Sequence, residues 1–202
     1  MACTTPPEAR YRQRHDVGVR KDELARRVRD ACYLEGDFLL RSGQRASFYF
    51  DKYLFEADPE LLGAVTDHMA RLVPAGTEVL AGLELGGVPL STALSLRTGL
   101  PQALVRKQAK AYGTAKLAEG ASIADKRVLV VEDVITTGGQ VVASANELRT
   151  RGATVSSVLC AIDRRKGAAD QGTDGRQQDT LAQAGLTVLS LFRLEDLIGD
   201  LC

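Results

Sequence analysis

The fold is decided by one stretch of the chain: Val128-Leu129-Val130-Val131-Glu132-Asp133-Val134-Ile135-Thr136-Thr137-Gly138-Gly139-Gln140. Four apolar residues run into two adjacent acids, and such a run predicts a buried parallel strand. Residues 136–139 predict a loop that opens a helix, because a helical apolar pattern starts at Val141. The free N–H groups and positive dipole of a helix N-terminus suit a phosphate. The two acids suit sugar hydroxyls or Mg²⁺ held through water, so this stretch predicts a site for a phosphorylated sugar.

The rest of the chain alternates strand-like and helix-like segments. We predict strands at residues 78–82, 102–105, 127–131, 154–162 and 186–191, and helices at residues 58–73, 87–97, 140–151, 177–184 and 193–198. This alternation predicts an α/β fold with a doubly wound, mostly parallel sheet. Ligands bind at the carboxyl ends of the strands in such sheets, and each candidate motif follows a strand.

The N-terminal part predicts a small attachment to this sheet. A helix over residues 21–35 and a hairpin over residues 38–51 form what we call the hood, residues 21–55. Residues 1–20 are polar and Arg-rich. We expect them to be a poorly ordered arm, and residues 21–202 to be a single domain that includes the hood.

Composition limits the classes of partner and the compartment. The 202 residues contain 26 Lys and Arg against 26 Asp and Glu, so no global field favours nucleic acid or an anionic membrane. No segment has the length and apolarity of a transmembrane helix. The four cysteines form neither a CxxC pair nor a zinc spacing. Cys32 and Cys160 lie in apolar patterns that predict buried thiols, and this points to a reducing, cytoplasmic setting.

A second cluster of charge follows the strand at residues 102–105. Arg106 and Lys107 at the strand end can reach a diphosphate, and Lys110 can close over it from a polar loop. Cations in these places would stabilise charge on a departing pyrophosphate, and a closing loop would exclude water. Alone, the cluster would fit a solvated basic loop better. Its place one strand before the acidic pair favours the functional interpretation.

Residues 128–140 resemble the signature of type I phosphoribosyltransferases, which bind phosphoribosyl diphosphate. Residues 106–113 resemble the catalytic loop of the orotate phosphoribosyltransferases. Residues 38–51, 82–89 and 163–164 resemble that family's hairpin, pyrophosphate loop and orotate-binding corner. The resemblance implies the type I fold with an N-terminal hood. It also implies transfer of ribose 5-phosphate from phosphoribosyl diphosphate to orotate, giving orotidine 5′-monophosphate and pyrophosphate in pyrimidine synthesis.

The resemblance also implies roles for individual residues. The implied catalytic residues are Lys110, Arg106 and Asp133. The residues implied to bind phosphoribosyl diphosphate are Arg41, Arg106, Lys107, Lys110, Tyr112, Glu132, Asp133, Val134, Ile135, Thr136, Thr137, Gly138, Gly139 and Gln140. Those implied to bind orotate are Thr136, Arg164, Tyr49 and Phe50. The implied cofactor is Mg²⁺, held through the substrate with Glu132 and Asp133 as candidate contributors. A homodimer with loop residues shared across subunits is also implied.

Several positions depart from the bacterial family members, and among them Glu132-Asp133 replaces Asp-Asp, which keeps the charge. Arg41 stands where they carry Lys, and Tyr112 stands where they carry His. Leu85-Gly86 stands where they carry Tyr-Lys, so one expected pyrophosphate cation is missing. Because Lys110, Asp133 and Arg164 remain, we expect a variant of the family with its activity retained.

Two other functions stay open at this point. A phosphoribosyltransferase for a purine base would use the same sugar site, but a purine offers no carboxylate to pair with Arg164. A regulator that binds phosphoribosyl diphosphate without catalysis would typically add a nucleic-acid-binding domain or a basic face. The balanced charge and the intact Arg/Lys loop favour an enzyme.

Overall fold

The computed structural model of the chain describes residues 18–39, 43–107, 117–165 and 180–199. Arg41, Lys110, Tyr112 and residues 1–17 lie outside this range, so the predictions made for them stay predictions. The hood begins with helix α1 (Lys21–Cys32) and the antiparallel strands β1 (Tyr33–Leu39) and β2 (Arg45–Phe50). The remaining elements are α2 (Tyr53–Ala57), α3 (Pro59–Ala70), β3 (Val79–Leu83), α4 (Gly87–Thr98), β4 (Gln102–Val105), β5 (Ala118–Gly120), β6 (Arg127–Ile135), α5 (Gly139–Thr150), β7 (Thr154–Asp163), α6 (Thr180–Gln183), β8 (Thr187–Arg193) and α7 (Leu194–Ile198).

The central sheet has six strands in the order β5-β4-β3-β6-β7-β8. All neighbouring pairs are parallel except β4 and β5, which run antiparallel. The chain moves from β3 outward to β4 and β5, and then returns to place β6 on the other side of β3. This reversal creates a switch point between β3 and β6, where doubly wound sheets bind their ligands. The α/β prediction is thus confirmed.

Apolar side chains bury both faces of the sheet. One face packs Leu80, Leu129 and Leu159 against α1, α3, α4 and α7. The opposite face packs Val79, Val130 and other residues against α5 and α6. Successive residues of a strand point to opposite faces, so continuous apolar runs are what a sheet covered on both sides requires.

The structure corrects several predicted boundaries. Helix α1 ends at Cys32, three residues earlier than expected, because Tyr33 already pairs with Phe50 in the hairpin and its ring stacks on Phe48 at 5.4 Å. Strand β6 runs on past residue 131 to Ile135, because β7 continues to pair with it as far as Asp163. The acidic pair therefore lies inside the strand rather than beyond its end. The sequence predicted neither the short helix α2 nor the edge strand β5.

The start of α3 follows its predicted cap. The Asp58 side chain accepts the backbone N–H groups of Glu60 at 2.8 Å and Leu61 at 3.0 Å, and Pro59 occupies the first turn.

Among the described residues, no helix is both long and apolar enough to span a bilayer.

Candidate active site at the carboxyl ends of the strands

The acidic pair lies at the end of β6, next to the switch point. The Asp133 side chain is 1% exposed, and its Oδ1 accepts the Val134 N–H at 2.5 Å. Glu132 is half-buried and its Oε1 accepts the Asp133 N–H at 3.0 Å. The strand thus presents one enclosed carboxylate and one that is partly accessible, both held by the local backbone.

A lysine from the hood meets the enclosed carboxylate. The Lys52 ammonium forms an ion pair with Oδ2 of Asp133, and the lysine side chain is 31% exposed. Our sequence interpretation missed Lys52. In the sequence Lys52 stands two residues after the aromatic pair of the hairpin, and nothing there identifies its partner.

Two glycines let the β3–α4 turn approach β6. A Cβ on Gly86 would lie 1.6 Å from Oδ2 of Asp133, and a Cβ on Gly87 would lie 2.3 Å from the Val131 carbonyl oxygen. Neither contact is possible for a real side chain. The glycine at position 86, where a lysine was expected from the family pattern, is therefore a steric requirement of the buried carboxylate.

The electrostatics of this cluster centre on Asp133. Burial, together with the charge and hydrogen bonding of Asp133, raises the pKa of Glu132 to about 9. Burial and the same carboxylate raise the pKa of Glu56, on α2, to about 8. Burial also acts to raise the pKa of Asp133, but Glu132 and Lys52 outweigh it and hold that pKa below its usual range. At neutral pH the cluster therefore contains one firmly ionised carboxylate, at Asp133.

The loop after β6 has the form predicted for a phosphate cradle. Thr136, Thr137, Gly139 and Gln140 are exposed, whereas Ile135 is buried in the core, so only its backbone can face a ligand. Gly138 adopts φ +78° at the start of the twelve-residue helix α5, where no side chain among the described residues caps the helix. The N–H groups in the first turn of α5 and the positive end of its dipole are thus available to an anion.

The ends of β3 and β4 are tied together beside this cradle. Oε1 of Glu84 accepts the backbone N–H of Lys107 at 2.5 Å, and the Glu84 N–H donates to the Val105 carbonyl at 2.9 Å. Lys107 is exposed and Arg106 is half-buried. The Arg106 Nε is buried without a hydrogen-bond partner among the described residues. Both cations predicted to meet the diphosphate therefore lie at the strand end that faces the switch point.

The end of β7 presents Arg164 next to the phosphate cradle. The backbone N–H of Arg164 donates to the carbonyl oxygen of Ile135 at 2.8 Å. This bond holds the backbone of Arg164 beside Ile135, the residue that precedes Thr136 in the chain. Arg165 forms the ion pair with Asp163, through Nε at 2.9 Å and an Nη2 at 2.8 Å. Burial tends to raise the pKa of Asp163, but Arg165 holds that pKa below its usual range. Arg164 is exposed, so a ligand carboxylate can reach it.

The aromatic pair of the hairpin comes to the same region through Lys52. Tyr49 is 44% exposed, whereas Phe50 packs against the core. Two residues later, Lys52 contacts Asp133. The structure thus places the ends of β4, β6 and β7 along one edge of the parallel sheet and brings Lys52, just after β2, to Asp133. Phe50 instead packs against the core.

Known proteins are similar to this chain in sequence. Residues 57–179 match the model of the phosphoribosyl transferase domain. An orotate phosphoribosyltransferase from a Nocardioides species is 53% identical over 79% of this chain and 92% of its own length. This chain belongs to the orotate phosphoribosyltransferase family. A second member of the family, from Methanocella arvoryzae, is 40% identical over 81% of this chain and 89% of its own length.

A solved structure in the orotate phosphoribosyltransferase family agrees in fold. The Mycobacterium tuberculosis enzyme, crystallised in complex with 5-phospho-α-D-ribosyl 1-diphosphate, superposes with a TM-score of 0.71 at 28% identity. The match covers 88% of this chain and 98% of that one. The family assignment confirms the resemblance drawn from residues 128–140 and 106–113.

Proposed function

We propose that this chain transfers ribose 5-phosphate from phosphoribosyl diphosphate to orotate, forming orotidine 5′-monophosphate and pyrophosphate in pyrimidine synthesis. In this reaction the bond from the anomeric carbon to the pyrophosphate oxygen breaks, and a bond to the orotate ring nitrogen forms. The observation that carries the proposal is the exposed side chain of Arg164. Its backbone is bonded to Ile135, the residue directly before the phosphate cradle. It provides a carboxylate partner at the end of a strand next to the sugar site.

The described residues support a division of labour around the sugar. The N–H groups of residues 136–139 suit the 5′-phosphate. Glu132, which is partly accessible, suits the ribose hydroxyls, and the ionised and enclosed Asp133 supports it from the next position of the strand. The exposed face of Tyr49 suits a flat pyrimidine ring, and the guanidinium of Arg164 suits its carboxylate in a bidentate pair.

The cations after β4 would stabilise the negative charge on the leaving pyrophosphate. Arg106 and Lys107 lie at that strand end, and we place Lys110 over the diphosphate. Fixed positive charge near the departing oxygen stabilises the transition state more than the ground state. No covalent enzyme intermediate is required, because the sugar passes directly from one leaving group to the attacking nitrogen.

The cofactor proposed for this reaction is Mg²⁺. Among the described residues, no group of three or more His, Cys, Asp or Glu could hold a metal ion. Oδ1 of Asp133 already accepts a backbone N–H and Oδ2 pairs with Lys52. This donor set fits a Mg²⁺ ion that is held mainly by the diphosphate, with Glu132 and Asp133 as contributors through water. When bound, the ion would neutralise part of the diphosphate charge.

The proposal includes the cytoplasm as the compartment and a homodimer as the active form. Cys32 and Cys160 are buried free thiols, as expected in a reducing setting. In the proposed dimer, the loop that carries Lys110 serves the partner subunit's site. The Arg106 Nε, which has no hydrogen-bond partner within the described part of the chain, is a donor that such an arrangement can use.

Pyrophosphate release tests the reaction. The protein would be given phosphoribosyl diphosphate and Mg²⁺, with orotate, uracil, adenine and hypoxanthine offered separately. Release with orotate alone supports the proposal and the role of Arg164. Release with a purine would replace the base assignment. Binding of phosphoribosyl diphosphate without release for any base would indicate a regulator.

Subunit mixing tests the shared site. Lys110→Ala and Arg164→Gln homodimers should each have little activity. If Lys110 acts in the partner's site, a mixed dimer has one site with both defects and one with neither. Random reassociation of equal amounts should then restore about a quarter of wild-type activity. If each site is built from one subunit, mixing restores nothing.

A further inference from the structure

Lys52 is held in place by its neighbours along the chain. Oδ1 of Asp51 accepts the backbone N–H of Tyr53 at 3.1 Å, which fixes the start of α2. Phe55, 1% exposed, anchors that helix in the core. A side chain that starts from such a fixed backbone reaches its partner at a smaller entropic cost than one on a free loop.

Asp133 is enclosed on its other sides. The β3–α4 turn is so close that a Cβ on Gly86 would lie 1.6 Å from Oδ2. Oδ1 is occupied by the Val134 N–H. Among the described residues, the cation that meets this carboxylate is Lys52, so the orientation of Oδ2 depends on one ammonium group.

The charges around Asp133 are otherwise negative or neutral. Glu56 from α2 and Glu132 from β6 both interact with the Asp133 carboxylate, and Asp51 adds negative charge close to Glu56. Removal of Lys52 would leave carboxyl groups from two elements facing one another in a buried space. The Asp133 carboxylate would then be a buried charge without the cation that it contacts, and its side chain would rotate away from its present orientation.

We propose that Lys52 is a positioning residue for the ribose site. Its ammonium holds the enclosed Asp133 carboxylate in place beside the partly accessible Glu132, which accepts the ribose hydroxyls of phosphoribosyl diphosphate. The inference rests on the proposed function for the identity of the sugar. Because Lys52 follows the aromatic pair by two residues, the same contact joins the base-binding part of the hood to the sugar-binding strand.

Four variants test this role. Lys52→Met removes the cation, and Lys52→Arg keeps it. Lys52→Met/Glu56→Gln removes one acid together with the cation. The matched control is Lys126→Met, which removes a lysine paired with Glu78 at 3.3 Å, at the opposite end of β6. For each variant, calorimetry without metal gives the Kd of ribose 5-phosphate, and steady-state kinetics give kcat and the KM of phosphoribosyl diphosphate.

We expect Lys52→Met to raise both the Kd and the KM by about ten-fold, the effect of losing a charge-assisted interaction. Its kcat should stay within about three-fold of wild type, since Lys52 is remote from the leaving group in the proposed geometry. Lys52→Arg should recover part of the affinity, whereas Lys52→Met/Glu56→Gln should bind as weakly as Lys52→Met, because Glu56 is already protonated at neutral pH. Lys126→Met should match wild type.

Two results would overturn the proposal. One is an unchanged Kd and KM in Lys52→Met. The other is a fall in kcat alone that Lys52→Arg does not relieve. If Lys52→Met does not fold, the Kd of Lys52→Arg and of the double variant decide, because wild-type affinity in the double variant would show that Lys52 is dispensable. If the wild-type protein binds ribose 5-phosphate but does not turn over orotate, the proposed function is rejected. The comparison of Kd values among the Lys52 variants would still test the role of Lys52.

Discussion

Replacement of Gly86 by alanine should destabilise the protein, although the backbone there suits any residue. At φ −68° and ψ −28° alanine is unstrained, and by restricting the unfolded chain it would add about 0.4–1 kcal/mol of stability. Its Cβ, however, would lie 1.6 Å from Oδ2 and 2.3 Å from Cγ of Asp133. Since non-bonded atoms require roughly 3.5 Å, the carboxylate must move by roughly 2 Å and lose its contact with Lys52.

The size of the effect follows from the loss of that ion pair. Leaving a buried charge without its partner costs about 3–5 kcal/mol. Alanine also stabilises the protein by restricting the unfolded chain, and this gain is subtracted from the cost. We therefore expect a net loss of about 2–4 kcal/mol in the free energy of unfolding. Urea unfolding followed by circular dichroism measures this quantity. Gly18→Ala is the control, because a Cβ there meets nothing within 4 Å and should change stability by less than about 0.5 kcal/mol.

A double-mutant cycle isolates the cause. An Asp133→Ala background removes the two nearest contacts, with Oδ2 and Cγ, and leaves the Cβ of residue 133 at 2.9 Å. Gly86→Ala should therefore cost at least about 2 kcal/mol less in that background than in the wild type. A neutral or stabilising Gly86→Ala, or an equal cost in both backgrounds, would refute the argument that Gly86 is required by the buried carboxylate.

Four further predictions follow from individual side chains. Arg164→Gln should raise the KM of orotate by about 10- to 100-fold with little change in the KM of phosphoribosyl diphosphate, measured by steady-state kinetics; equal effects on both would contradict a carboxylate partner. Lys110→Ala should lower kcat more than it weakens phosphoribosyl diphosphate binding, and an unchanged kcat would reject its catalytic role. The pKa of Glu56 is about 8 in the folded protein against 4.5 normally, so the folded protein holds this proton more tightly than the unfolded chain does. The resulting stabilisation is complete below pH 4.5 and is lost as the pH rises through 8. Glu56→Gln should therefore lessen the decline of stability over that range, seen by urea unfolding at several pH values, whereas an unchanged slope would show that Glu56 is ionised in the fold. Asp58→Ala removes both cap hydrogen bonds of α3 and should cost about 1 kcal/mol in the same assay; no loss would mean that the cap is replaced by solvent.

The strand-loop-helix unit at residues 128–140 could be predicted because its signals are local. An apolar run bounded by charge defines a buried strand, and a Thr/Gly turn before an apolar helical pattern defines a helix N-terminus. The end of β6 could not be predicted in the same way. Whether Glu132 and Asp133 continue the strand depends on the length of β7, which pairs with them from another part of the chain.

The hood shows the same limit. Residues 33–35 continue a helical pattern in the sequence, but pairing across the hairpin draws them into β1, because Tyr33 gains a partner in Phe50 and a stacking contact with Phe48. Tertiary contacts of this kind override weak helix propensity. The local pattern therefore predicted a helix and a hairpin but placed their boundary three residues too late.

By itself, the sequence determined the fold class, the family and the candidate residues at each strand end, because hydrophobic period and motif order are properties of neighbours in the chain. Only the tertiary structure decided which charges meet. The Lys52 contact with Asp133, and the glycine that this carboxylate demands at position 86, join segments about 80 and 50 residues apart in the chain. Such contacts depend on distance in space, and a single sequence contains no signal for a lysine and a carboxylate that meet only after the hood has packed on the sheet.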